Sequence, residues 1–228
     1  MPRVLNGKAT VPAAIATLVK AGLLFGSAGT VQWPRAWLFV AVDLAFGFIG
    51  ALYLYHDSPE LYEERRSAAK KAKPWDKKIM PFAVLVLPIA TLVLAGLDRR
   101  WNLAGHLPVL ASFIALPFLL LGYGLFIWAH RSNQFFSSVA RIQTERNHRV
   151  QSGGPYRFVR HPGYAGLIVA SVALPLQLGS LPALIPSGLA AGLYVLRTAL
   201  EDRMLKEELG GYGDYAARVK YRLVPGLW

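Results

Sequence analysis

The sequence predicts an all-α integral membrane protein with five to six transmembrane helices, ending in a helical hairpin. Three observations carry that expectation. Of 228 residues, 54% are hydrophobic and only 17% charged, a balance too apolar for an ordinary soluble domain. Six apolar runs stand along the chain, most of them near the roughly 20 residues a helix needs to cross a bilayer core. Lys and Arg gather on alternate sides of those runs, as the positive-inside tendency requires of a multi-pass chain.

In order, the runs are Val11 to Gly29, Trp37 to Tyr55, Ile79 to Leu97, Leu107 to Ala129, and a closing pair, Gly163 to Leu178 and Leu181 to Leu200. Their flanks are rich in Trp, Tyr, Lys and Arg, the residues that settle at headgroup level. The first run follows Arg3 and Lys8 in the manner of a signal peptide, but Lys20 interrupts it and more spans follow, so it is expected to stay as a helix. Gly22 and Gly26, and later Gly188 and Gly192, stand at the small-residue spacing that lets helices approach closely. Asp43, inside the second run, needs a partner there, and His130 is expected to pack. Pro175, Gly179 and Pro182 make the last turn tight; its arms are short enough that one tilts or spans only in part, hence five crossings or six.

The net charge is +12, from 25 Lys and Arg against 13 acids. The loop between the second and third runs carries Arg65, Arg66, Lys70, Lys71, Lys73, Lys77 and Lys78. The segment before the hairpin carries Arg131, Arg141, Arg146, Arg149, Arg157 and Arg160, and the tail adds Arg197, Arg203, Lys206, Arg218, Lys220 and Arg222. The turns on the other side hold only Arg35, Arg99 and Arg100. This pattern puts both termini in the cytoplasm. The charge suits anionic lipid headgroups and not nucleic acid, because no basic stripe stands on a soluble domain. The chain has no cysteine, which excludes disulfides, thiolate metal sites and a thiol nucleophile. Its five histidines lack metal-ligand spacing, so no metal is expected.

Residues 1–130 read as transmembrane scaffold, and the chemically capable material lies in residues 131–228. Within it, "GGPYRFVRHPGYAG" turns at Gly153, Gly154 and Pro155, and Pro162 suits the first turn of the fifth run. Arg157 and Arg160 would snorkel to phosphates there, with Tyr156 and Tyr164 in an aromatic belt. Across the hairpin, "RTALEDRMLKEE" sets Arg197 and Glu201 four apart on one helix face, as a salt bridge or as functional groups. "GYGDYA" fits a dinucleotide-type glycine pattern in letters only; it follows an acidic helix and not a strand, so it reads as a helix terminus and turn.

Taken together, "GPY", "RHPGY", a hairpin, the paired acids "ED" and "YGDYAARVKYRLVPG" resemble the isoprenylcysteine carboxyl methyltransferases, within a wider group that includes membrane phospholipid methyltransferases. The resemblance covers roughly residues 130 to 228, and Asp202 stands where the family usually shows a second Glu. It implies a membrane methyltransferase using S-adenosylmethionine, held in a cytoplasmic pocket of the C-terminal part. It also implies a lipophilic acceptor, most simply an isoprenylcysteine-type carboxylate, entering from the bilayer. Carried over by position, Gln143, His148, Arg149, Val150, Gln151, Tyr156, His161, Pro162, Gly163, Tyr164 and Glu201 are cofactor contacts, and Arg197 is the catalytic, substrate-holding residue. A carboxylate acceptor needs no general base at neutral pH, and Arg197 would grip it at two points. The other readings are a membrane reductase of the sterol-reductase type using NADPH, and a non-catalytic lipid-binding membrane protein.

Overall fold

A computed structural model describes residues 7–56, 71–105 and 107–228. Arg3, Arg65, Arg66 and Lys70, and the side chain of Lys8, lie outside the described residues. Among those described, seven helices and no strand occur: α1 (Gly7–Ala28), α2 (Pro34–His56), α3 (Pro74–Trp101), α4 (Val109–Arg131), α5 (Pro162–Leu178), α6 (Leu184–Glu208) and α7 (Tyr212–Arg218). Four of them, α1 to α4, are long and apolar enough to cross a membrane, so the chain is a multi-pass membrane protein. At 17 residues, α5 is about 26 Å long, short of a full bilayer core. Large apolar side chains such as Ile15, Leu18, Phe113, Leu121 and Ile185 point outward, as lipid-facing residues do.

Two helices differ in extent from the apolar runs. The helix α3 begins at Pro74, five residues before its run, because a proline is favoured at the first helical position. It then passes through a π turn, Phe82–Val86, where the Leu87 N–H reaches back to the Phe82 carbonyl. Pro81 and Pro88 lack the N–H groups a regular ladder would use, which accounts for the wider turn. At the other extreme, α6 continues eight residues past Leu200 through strong helix formers. Glu201 and Asp202 therefore sit within the helix.

The helices alternate in direction, and buried polar links tie them. Asp43 on α2 accepts hydrogen bonds from Thr17 (2.7 Å) and Lys20 (2.7 Å) on α1, so the residue that interrupts the first run neutralises the acid in the second. At the end where α1, α3 and α5 finish, Arg35 donates to the Leu107 carbonyl (2.8 Å) and Gln177 donates to the Arg35 carbonyl (2.9 Å). A cluster of Leu24, Ala28, Trp33, Ala36, Phe39, Leu92, Ala95, Leu178 and Ala183 fills the space between them.

The expected glycine pairs are not the ones that bring helices together. Gly22, Gly26, Gly188 and Gly192 have no neighbouring atom within 4 Å of where a Cβ would stand. Close crossings occur where Gly96 on α3 meets α1 and between α4 and α5, where a Cβ on Gly122 would lie 2.6 Å from the Gly166 carbonyl oxygen and one on Gly166 would lie 2.5 Å from that of Gly122. Spacing alone does not tell which helix face meets a neighbour. Gly166→Val is therefore expected to destabilise the protein by about 1–3 kcal/mol through overpacking, while Gly188→Val has almost no effect. Thermal unfolding of both variants in the same detergent checks the contrast.

Candidate functional site

The segment 132–161 joins α4 to α5 at the end where α3 begins and α6 finishes, and it forms one wall of a cleft. The cleft encloses a cavity of about 90 Å³ and opens to solvent at its mouth. Its other walls are the first turn of α5, the charged end of α6, and α7. Nine of the twelve residues assigned from the resemblance line it: His148, Arg149, Val150, Gln151, Tyr156, His161, Gly163, Tyr164 and Glu201. Gln143, Pro162 and Arg197 are not in its lining.

Local geometry explains those three. Gln143 is fully buried and holds the loop: its amide donates to the Phe135 carbonyl (2.7 Å) and its Oε1 accepts from Arg146 (2.6 Å). Pro162 is the first residue of α5, buried behind the cleft. Arg197 is 3% exposed and its fork is taken by Asp76, through Nε to Oδ1 (2.7 Å) and Nη2 to Oδ2 (3.2 Å). Glu201, its helix neighbour, stands farther off at 4.0 Å.

Within the cleft, Tyr164 donates to Glu201 Oε2 (2.6 Å), and its ring lies beneath the Arg197 guanidinium at 5.1 Å. The His161 and Tyr164 rings stack with centroids 5.9 Å apart. A Cβ on Gly163 would meet the Phe136 ring at 2.9 Å, so glycine at this position lets the helix start press against that wall. His148 packs on Phe135 at 4.6 Å and accepts the Gln143 N–H at Nδ1 (3.3 Å), which puts its own proton on Nε2. Burial pushes the His148 imidazole below its ordinary value; Glu201 opposes this, and Arg141 and Arg146 reinforce it, so the ring is neutral at pH 7. Burial likewise raises the Tyr156 phenol above its usual value, leaving it a donor and not a base.

Asp202, beside Glu201, faces away from the cleft and is fully buried. It accepts from Arg160 at two points (2.6 and 3.0 Å), from Arg222 (3.0 Å) and from Tyr212 (3.0 Å), with His161 Nε2 at 3.4 Å. Arg160 is 5% exposed and does not snorkel; it also donates to the Val219 and Lys220 carbonyls, both at 2.7 Å. The Arg160 and His161 N–H groups bond the Tyr221 and Arg222 carbonyls, each at 2.9 Å. The tail is thus pinned to the His-Pro bend. Likewise Tyr156, 7% exposed, lies in the interior and not in an aromatic belt; Tyr215 donates to its carbonyl at 2.7 Å.

The assigned residues omit several walls of the cleft, among them Phe135, Phe136, Leu205, Leu209, Tyr212 and Tyr215. The two tyrosines stand in the quoted tail motif, where Gly211 (φ +78°) makes the expected turn and a further short helix, α7, follows it directly. Their period of three on a short helix was the available signal. No group of three or more His, Asp or Glu residues among the described residues could hold a metal ion.

Asp202 generates a signed expectation. Burial alone would raise its carboxyl, but hydrogen bonds from His161, Arg160 and Arg222 outweigh that and hold it well below the ordinary range. A depressed carboxyl contributes stability that is fully present above its unfolded value near 4 and is lost as pH falls below it. Asp202→Ala leaves Arg160 buried without its counter-charge and is expected to cost about 3–5 kcal/mol at pH 7. Thermal midpoints measured from pH 7 to pH 3 check both: the wild type holds down to about pH 4 and then declines, whereas the variant is low throughout.

Residues 113–207 match the model of the isoprenylcysteine carboxyl methyltransferase (ICMT) family. The chain is also 28% identical over 130 residues to protein-S-isoprenylcysteine O-methyltransferase B of Arabidopsis thaliana, an alignment covering 54% of this chain and 60% of that relative. The resemblance read from the motifs is thereby borne out: the stretch from within α4 to the charged end of α6 is similar to that family.

Proposed function

We propose that this protein is a membrane methyltransferase that uses S-adenosylmethionine and acts on a lipophilic carboxylate of the isoprenylcysteine type. The observation that carries the proposal is the cleft, where nine residues assigned from the family resemblance converge from three segments. Under this reading both termini and the cleft face the cytoplasm, α5 and α6 add a partial and a full crossing to the four long helices, and the acceptor arrives from the bilayer.

The donor set fits such a cofactor. Glu201 offers carboxylate oxygens to an amine or to ribose hydroxyls. Tyr164, Tyr156, Phe135 and the neutral His148 offer flat faces to an adenine ring or to a cationic sulfur. Bound there, the cofactor supplies a methyl carbon on a positively charged sulfur, and its transfer to a carboxylate requires no proton to be removed. The chain's own work is then alignment and exclusion of water. Tyr164 fixes Glu201, Phe136 and Gly163 close the wall behind the bend, and the tail held by Asp202 covers one side.

Calorimetric titration of detergent-solubilised protein with S-adenosylmethionine tests the proposal. Saturable binding is expected, weakened about 10- to 100-fold in Glu201→Ala, the range for one hydrogen bond to a charged group. Tyr164→Ala is expected to weaken it as well, by releasing Glu201. Equal affinity in both variants removes the site assignment, and binding of NADPH in place of S-adenosylmethionine replaces the reading with a reductase.

A further inference from the structure

Asp76 lies outside the matched region, at the start of α3, yet it makes the shortest contacts to the one buried arginine assigned to the acceptor. It is fully buried and doubly anchored: Oδ2 accepts the Ala140 N–H (2.7 Å), and its own N–H bonds the Lys73 carbonyl (3.0 Å) in the first helical turn. Around it, Lys73 donates to the Ala140 wall in reverse, through its N–H to the Ala140 carbonyl (3.1 Å), and its ammonium meets Glu208 at 2.7 Å. The carboxylate is therefore held on a rigid element, and not by Arg197 alone.

A guanidinium has five N–H donors. In Arg197 the Nε–H goes to Asp76 Oδ1 (2.7 Å), and Nη2 is shared between Asp76 Oδ2 and the Ser138 carbonyl, both at 3.2 Å. The two Nη1 hydrogens make no hydrogen bond among the described residues. The side chain as a whole is 4% exposed. Tyr164 supports the guanidinium plane from below at 5.1 Å. Three sides of the cation are fixed, and one nitrogen is left without a hydrogen bond.

We propose that Asp76 is a positioning residue for the acceptor: by holding Nε and Nη2 it turns Nη1 of Arg197 toward the acceptor carboxylate. The inference rests on the proposed carboxyl methylation and changes its geometry. With the fork taken by Asp76, the two-point grip expected from sequence is replaced by contact through a single nitrogen. Such a contact leaves one acceptor oxygen unbonded by the arginine and free to take the methyl group. Asp76 also offsets part of the cost of keeping a guanidinium in the interior, since the cation enters the site already paired.

The test is methyl transfer from S-adenosylmethionine to N-acetyl-S-farnesyl-cysteine by the full chain in liposomes, comparing wild type, Asp76→Asn and Asp76→Glu, with cofactor affinity measured on each. Asp76→Asn is expected to raise the acceptor KM about tenfold with kcat changed less than about threefold and cofactor affinity within about twofold, the signature of a lost acceptor contact. Asp76→Glu, which restores the charge one methylene farther out, is expected to recover part of that loss. An acceptor KM within about twofold of wild type in Asp76→Asn, or a loss of cofactor affinity in parallel with the KM, overturns the inference while leaving the methyltransferase reading intact. If Asp76→Asn does not fold, Asp76→Glu decides alone, and an unchanged KM overturns it. A wild type that binds S-adenosylmethionine but methylates no carboxylate sinks the acceptor reading and this inference with it.

Discussion

The buried carboxylate of Asp202 is the interaction on which the rest of the site depends. Two arginines, a tyrosine and a histidine from three chain segments converge on it. An ionised carboxylate without those partners would be expelled from such a place at a cost of several kcal/mol, so the cluster forms whole or not at all. Its formation fixes more than stability. Consecutive residues on a helix project about 100° apart, so anchoring Asp202 toward the tail turns Glu201 toward the cleft. The face toward the cleft and the face that holds the tail are set by one register.

A second constraint acts from the membrane side. Without water between them, α4 and α5 gain little from hydrophobic burial and associate by close packing. Gly122 and Gly166 let their backbones touch. That approach brings the end of α4 and the start of α5 side by side, and it leaves residues 132–161 to fold over the gap as a wall. The loop then spends its own polar groups internally, as Gln143 does on Phe135 and Arg146. A residue assigned to the cofactor by position becomes a strut by geometry.

The four long apolar helices were legible because a run of about twenty apolar residues has few alternatives in water. The bend "RHPGY" and the acids "ED" were legible because unusual residue types recur in a fixed order. What stayed hidden shares one property: it depends on faces and partners far apart in the chain. Asp76 sits in "KKAKPWDKK", where the lysines make the acid look like part of a solvated loop, and its partner Arg197 is 121 positions away. Arg160 looked like a phosphate-seeking cation, as any arginine at a membrane boundary does, until its acid was found 42 positions on. The glycine pairs chosen by spacing failed for the same reason, since a spacing of four defines a stripe and not its neighbour.

These arrangements bear on the kind of chemistry the cleft can support. His148 is neutral and its Nδ1 already accepts a backbone N–H, and the buried Tyr156 phenol is kept protonated. The acid next to Glu201 is fully committed to cations, and Arg197 is committed on three of its five N–H groups. A site so arranged moves few protons; it fixes dipoles and charges in place. The proposed reaction, displacement at a cationic methyl by an ionised oxygen, asks for that alignment and for dryness. Under the proposed reading, the cost of burying Asp76, Arg197 and Asp202 in pairs is what keeps that alignment from relaxing when the acceptor leaves.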